Sequence, residues 1–216
     1  MALKVSVVIP VFPYDKETRE ITERAISEWQ RTSTELVKLE ILPIEGARPF
    51  AENVNIGLNK AKGEFLVVAN NDAVPLEGWD RSVLTRLDGK AGVMAFTPRS
   101  DCGWMFGVTR QVMEEVGVLD ERLVNSFEDV DYFLRVALSG RGRSLAEGTY
   151  AVHEGGFTVN KLWGGLLDST RLAQCLANRD YMLSKWVGID VAKVCTQTWA
   201  SKEVEIMKEW ASGRVS

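Results

Sequence analysis

The strongest constraint on the fold is the alternation in the first seventy residues. Val5-Ser6-Val7-Val8-Ile9 is β-branched and almost wholly apolar, which predicts a strand buried on both faces and paired in parallel. Pro10 and Pro13 close it. Asp15 is placed to cap a helix over residues 16–31, whose apolar stripe is Ile21, Ala25 and Trp29. Val37, Leu39 and Ile41 alternate with Lys38 and Glu40, giving a second strand. A helix over 50–62 follows, with Val54, Leu58 and Ala61 on one side and Gly63 as a left-handed stop. Residues 64–69 form a third apolar strand, ended by Asn70-Asn71-Asp72. A β-α-β-α-β order predicts a doubly wound α/β layer, in which ligands bind beyond the carboxyl ends of the strands. Chemistry is therefore expected near Val11-Phe12, near Glu45 and at Asn70-Asn71-Asp72.

The second part is less regular. Strands are predicted over 93–97 and 104–108, helices over 110–116 and 129–138, and a short strand over 149–152. Two further helices are expected, over 169–186 and 190–210. With 216 residues, 45 % of them hydrophobic, the chain can bury a core without covalent staples. Its three cysteines, Cys102, Cys175 and Cys195, form neither a disulfide framework nor a CxxC pair. A reducing cytosol is the expectation. The net charge of −4 and the lack of a basic stripe argue against nucleic acid. No leader is expected ahead of the first strand, and no apolar run reaches bilayer length. The expected location is cytoplasmic, at most peripheral at the inner face of a membrane.

Three constellations could carry chemistry. A carboxylate at Asp72, fixed at a strand end with an amide at Asn70, can bind a hard divalent ion that bridges a diphosphate; the same tripeptide also suits a plain strand-ending turn. His153, the single histidine, precedes Gly155-Gly156 and is either a third metal ligand or an ordinary hydrogen-bonded histidine. Glu128-Asp129-Val130-Asp131 opens a helix, where the macrodipole favours negative charge. Arg135 can pair with Asp131 one turn on, leaving Glu128 or Asp129 to accept a proton. Trp104 could wall a sugar or acceptor site, or pack in the core. There is no P-loop, GxGxxG or GxSxG, so kinase, dehydrogenase and α/β-hydrolase chemistry lose their usual support.

Taken in order, these segments resemble the family 2 glycosyltransferases of the GT-A fold, particularly the rhamnosyltransferase-like branch, from Val5 to about Trp186. Residues 5–12 resemble the opening strand that borders the nucleotide base. Asn55-Ile56-Gly57 through Ala61-Lys62-Gly63-Glu64-Phe65 resembles the N-x-G…A-x-G-E-aromatic stretch. Asn70-Asn71-Asp72 stands where the family has DxD, with Asn70 in place of its first Asp. Residues 107–121 resemble the segment before the acceptor-side acids, and Phe127-Glu128-Asp129-Val130-Asp131 with Arg135 resembles E-D-x-D-x-x-x-R. His153-Glu154-Gly155-Gly156-Phe157-Thr158 resembles H-x-G-G-x-S/T, and Asn178 to Tyr181 with Lys185-Trp186 resembles the N-x-x-Y-F…K-W helix.

The resemblance implies an inverting, divalent-metal-dependent transferase of hexosyl or deoxyhexosyl groups. It implies Asp129 as base, then Glu128, with Asp72 and His153 holding Mn2+ or Mg2+. The donor, a UDP- or dTDP-sugar, would meet Pro10, Val11, Phe12, Glu45, Asn55, Asn70, Asn71 and Asp72. Trp104 would face an acceptor that is a glycan, a lipid-linked molecule or a protein. Residues 1–165 would form the catalytic domain, divided into a donor half (1–98) and an acceptor half (99–165). Residues 166–216 would be a helical extension through which an oligomer could assemble. The rival expectation is a non-catalytic sugar-nucleotide or glycan-binding module on the same fold. A nucleotidyltransferase ranks last, since Val11-Phe12-Pro13-Tyr14 has neither a glycine-rich loop nor a basic residue.

Overall fold

The computed structural model describes residues 1–12, 15–87, 91–98, 103–153 and 169–189. The expected helix over 190–210, together with Pro13, Tyr14, Cys102, Trp163, Cys195 and the 154–158 motif, lies outside them. Strand β1 (Leu3–Val11) lies between two parallel neighbours, β2 (Val37–Glu45) and β3 (Phe65–Ala69). Helices α1 (Lys16–Thr32) and α2 (Phe50–Lys60) make the crossovers. After β3 come β4 (Ala73–Pro75), α3 (Trp79–Leu84), β5 (Ala91–Ala95), β6 (Met105–Thr109), α4 (Arg110–Val116), α5 (Glu128–Leu138), β7 (Gly142–Ser144), β8 (Ala151–His153) and α6 (Ser169–Lys185). The main sheet has the order β2-β1-β3-β6-β5-β7, with β6 antiparallel to both its neighbours. A separate two-stranded ribbon pairs β4 with β8.

The core lies on both faces of the sheet. Val5, Val7, Ile9, Phe65 and Val67 point to one face and pack with Trp29 of α1 and Trp79 and Val83 of α3. Val8, Leu66 and Val68 point to the other and meet Val54 and Leu58 of α2, Val112 of α4 and Phe133 of α5. This two-sided burial is why the strands read as continuous apolar runs.

Several expectations need correction. The buried stripe of α1 is Thr18, Thr22, Ala25, Trp29 and Thr32, with Ile21 only half-buried. Two of these threonines can face inward because their hydroxyls return to the helix: Thr22 Oγ1 donates to the Thr18 carbonyl and Thr32 Oγ1 to the Glu28 carbonyl, each at 2.7 Å, whereas Thr18 Oγ1 is buried without a partner among the described residues. Asp15 caps the helix as expected, its Oδ1 accepting from the Thr18 N–H at 2.9 Å. Gly63 is not a left-handed stop, since α2 ends at Lys60 with Ala61 extended. Gly63 is small for another reason: a methyl group there would stand 2.5 Å from the Ser6 backbone nitrogen. Ser6, the one polar residue inside β1, holds that turn. Its Oγ accepts the N–H groups of Lys62 (3.2 Å) and Gly63 (2.7 Å) and donates to Glu40 Oε2 (2.5 Å). Arg110 closes the same end of the sheet from its far side, donating to the carbonyls of Ala61 and Gly63 at 2.8 Å. The strands predicted over 93–97, 104–108 and 149–152 each sit one or two residues away from those observed, and β4, β7 and α3 carry no sequence signal long enough to read.

Candidate functional site

The crossovers place β1 in the middle and reverse direction between β1 and β3, so the chain parts at the carboxyl ends of these strands. The residues of interest gather there. β3 ends at Ala69, and a tight turn closed by the Ala73 N–H on the Asn70 carbonyl (3.0 Å) leads into β4. Asp72 lies within the turn and is 3 % exposed. The β4–β8 register sets Ala73 opposite His153, bringing His153 Nε2 to 3.0 Å from Asp72 Oδ1. Asn70 Nδ2 lies 3.4 Å from the same ring nitrogen.

The antiparallel direction of β6 brings its first residues to the same end of the sheet. The Asn70 N–H donates to the Trp104 carbonyl at 2.8 Å. The Trp104 indole stacks on the His153 imidazole, with centroids 5.0 Å apart and planes 3° from parallel. Next to it, Gly103 has no room for a side chain: a methyl group would overlap Asp129 Oδ2. One turn, Gly103-Trp104, thus touches the Asp72–His153 pair on one side and the acidic start of α5 on the other.

That acidic start is an unbalanced pair. Glu128 is 6 % exposed and its Oε2 has no hydrogen-bond partner among the described residues. Burial, then the neighbouring Asp129 charge, push its carboxyl up to about 8. Asp129 is half-buried. Burial raises it too, but the Val130 N–H at 2.8 Å and the charge of Arg143 favour its anion. Within this coupled pair the negative charge is therefore better supported on Asp129, and the proton on Glu128. Asp131 contrasts with both. It is fully buried and saturated by Arg135 Nε (2.9 Å), Lys185 Nζ (2.7 Å) and Trp186 Nε1 (3.0 Å). The expected Arg135 pairing is present, and Arg135 also donates to the carbonyls of Val116 and Val118 at 2.6 and 2.7 Å.

The remaining sequence candidates divide. Pro10 and Val11 are buried at the end of β1, Phe12 is half-buried beyond them, and Glu45 is exposed at the end of β2 opposite Val11. All four lie at or just beyond the carboxyl ends of β1 and β2. Asn71 turns under α1, with its Nδ2 3.4 Å from Thr22 Oγ1. Asn55 is spent elsewhere: it donates to the Leu119 carbonyl and Glu121 Oε1 at 2.9 Å and accepts the Leu119 N–H at 3.0 Å. These bonds tie α2 to the 119–121 loop rather than present an amide to a ligand. Sequence reasoning missed the role of α6, whose Asn178, Tyr181, Lys185 and Trp186 all bond to the segment around the acidic turn. Their spacing was visible, but nothing local indicated which loop they would meet.

No known family's sequence profile matches the chain, and no curated protein matches its sequence. Solved structures do resemble it. A Drosophila β-1,4-galactosyltransferase 7 mutant, solved with manganese, UDP-Gal and xylobiose, aligns over 80 % of this chain and 79 % of its own with a TM-score of 0.59 at 14 % identity. A mannosyltransferase from Pyrobaculum calidifontis, solved with GDP-Man and Mn2+, aligns over 99 % of this chain and 84 % of its own with a TM-score of 0.53 at 13 % identity. The chain has the GT-A-type fold expected from its sequence.

Proposed function

We propose that this chain is an inverting glycosyltransferase of the family 2, rhamnosyltransferase-like kind, moving a hexosyl or deoxyhexosyl group from a UDP- or dTDP-sugar to an acceptor hydroxyl. The observation that carries the reading is the meeting of two unlike acidic centres on one turn. The Asp72–His153 pair and the Glu128–Asp129 pair flank Gly103-Trp104 at the carboxyl end of the sheet. Both structural neighbours are sugar transferases bound to manganese and a nucleotide sugar, which supports it.

The chemistry follows from the charges. Asp129, carrying the anion, accepts the proton of the acceptor hydroxyl. The acceptor oxygen forms its bond at the anomeric carbon while the bond to the diphosphate oxygen breaks, and the diphosphate leaves with that electron pair. Glu128, protonated, keeps a second negative charge away from the incoming nucleophile. Asp72 and His153, with Asn70 beside them, suit a divalent ion: cis ligands about 2.1 Å from an octahedral ion stand about 3 Å apart, as Asp72 Oδ1 and His153 Nε2 do. Mn2+ or Mg2+ held there would offset the charge gathering on the departing diphosphate. Trp104 would offer a flat wall to a glycan, lipid-linked or protein acceptor. On this reading residues 1–98 serve the donor and 99–165 the acceptor. No described helix is long and apolar enough to cross a membrane.

The test is release of nucleoside diphosphate from a panel of nucleotide sugars with Mn2+, with and without EDTA, for the wild type and Asp72→Ala. Metal-dependent release that Asp72→Ala abolishes is expected. Full turnover in Asp72→Ala would break the metal assignment. Asn70 in the place of an aspartate favours a second reading, a binding module. Calorimetric donor binding without turnover, unaffected by Asp129→Asn, would select it.

A further inference from the structure

Glu128 and Asp129 lie on a stretch of backbone held at both ends by the same helix. Upstream, Asn178 of α6 donates to the Val124 carbonyl (2.9 Å), the Ser126 carbonyl (3.0 Å) and Ser126 Oγ (2.7 Å), and its own Oδ1 accepts the Val124 N–H (3.4 Å). Downstream, Lys185 and Trp186, at the end of that helix, both donate to Asp131 Oδ1. Lys185 Nζ also bonds Asp120 Oδ2 at 2.7 Å, and the Tyr181 hydroxyl meets the same oxygen at 2.7 Å. The six residues between Val124 and Asp131 include Glu128, whose Oε2 has no partner among the described residues, and Asp129, whose carboxylate lies against Gly103.

The held segment is not in a relaxed conformation. Asn125 and Phe127, neither of them glycine, have φ of 54° and 72°. Left-handed backbone at such residues costs on the order of 1 kcal/mol or more each and persists only where surrounding bonds impose it. Asn178 grips the carbonyl of Ser126, between the two strained residues, while Asn125 Oδ1 accepts the Phe50 N–H at 3.0 Å and so joins the turn to the start of α2. The Phe127 conformation also sets the first turn of α5, because it is the residue from which that helix departs. Freed from α6, the chain would relax toward ordinary φ values, and the helix start would swing away from Gly103.

We propose that α6 is a clasp for the acidic turn: Asn178 and the Lys185–Trp186 pair are positioning residues that hold 124–131 so that Asp129 faces the Gly103-Trp104 turn. Its catalytic consequence rests on the reading of Asp129 as the base. Among the described residues the bonds of Asn178, Tyr181, Lys185 and Trp186 run to 120–131 and not to Asp72 or His153, so the clasp acts on the proton-accepting side. The donor side should not notice its loss.

The experiment compares wild type, Lys185→Met, Lys185→Arg and Asn178→Ala. Three measurements are needed: kcat and donor KM in the diphosphate-release assay, hydrogen exchange of the 124–131 amides, and Tm. A displacement of about 1 Å at a reacting group can cost on the order of 100-fold in rate. Lys185→Met and Asn178→Ala are therefore expected to lower kcat about 10- to 100-fold with donor KM within about 2-fold. Exchange should rise in 124–131 while the strands of the sheet keep their protection. Lys185→Arg, which can still bridge Asp120 and Asp131, should recover most of the rate. A kcat within 2-fold of wild type in both loss variants overturns the clasp. So does a rate loss that Lys185→Arg fails to restore and that accompanies faster exchange through the whole sheet, because the helix would then be general support. If the wild type transfers no sugar from any donor, the proposed function fails. The clasp is then judged by exchange alone: acceleration confined to 124–131 sustains it, and unchanged or uniform exchange ends it.

Discussion

The two ends of the central sheet are built from similar residues and arranged to opposite purposes. At the amino end of β1 and β3, Ser6, Glu40 and Arg110 meet the turn 61–63, and its backbone groups find partners: two N–H groups on Ser6 Oγ, one of them also on Glu40 Oε2, and two carbonyls on Arg110. At the carboxyl end, Glu128 keeps an oxygen buried and unpartnered among the described residues, and Asp129 is pressed against a glycine and accepts the N–H of its neighbour Val130. A buried polar group left unsatisfied costs stability, so the second arrangement persists only because the rest of the fold imposes it. The contrast separates residues that hold the protein together from residues held in readiness.

The largest test of that division is Asp129→Asn. If Asp129 is the proton acceptor, diphosphate release should fall by roughly 10²- to 10⁴-fold, with urea denaturation no worse than wild type. An unchanged rate would move Asp129 into the supporting class. Glu128→Gln probes the same end through stability. The folded protein binds the Glu128 proton more tightly than the unfolded chain, its carboxyl rising from 4.5 to about 8. Wild-type stability from this group is therefore full below about pH 4.5 and drains as pH rises toward 8. Glutamine has no such proton to lose. The variant should gain on wild type progressively across that window, by on the order of 3 kcal/mol near pH 8, and the two should converge near pH 4. A gap that does not change with pH would show that Glu128 is ionised in the fold.

The opposite end should respond in the opposite way. Ser6→Ala strands the Gly63 N–H and should cost about 1–2 kcal/mol in urea unfolding, with kcat and donor KM unchanged at temperatures where the variant is folded. Arg110→Lys is the mildest change, since one ammonium cannot reach both carbonyls in the guanidinium's fork. A loss of about 1 kcal/mol is expected, again without a kinetic effect. A drop in kcat in either variant would mean that the two ends are coupled rather than separate.

Much of this plan could be read from the chain before its coordinates. The β1, β2 and β3 segments declare themselves because burial on both faces leaves no polar residues except those with a local task, of which Ser6 is the example. Asp72, His153 and the Glu128–Asp129 pair were legible as polar groups at element ends. What was hidden depends on long-range meetings. Asn55 looks like a ligand-facing amide until the 119–121 loop folds onto it. Gly103 looks like any turn glycine until Asp129 arrives beside it. Of the ribbon, β8 was expected to within two residues, but β4 is three residues long, too short for any period to show, and the two strands supply each other's hydrogen bonds.

That ribbon has a consequence for how the protein matures. Asp72 and His153 come together only through the pairing of Ala73 with His153, two positions eighty residues apart in sequence. Alternate side chains of a strand face opposite ways, so a slip of one residue would turn the imidazole to the other side of the ribbon. The Asp72–His153 pair thus depends on the ribbon being in register. A chain whose late segment has docked out of step lacks that pair from the outset, and only a correctly finished molecule brings the carboxylate and the ring into reach of one another.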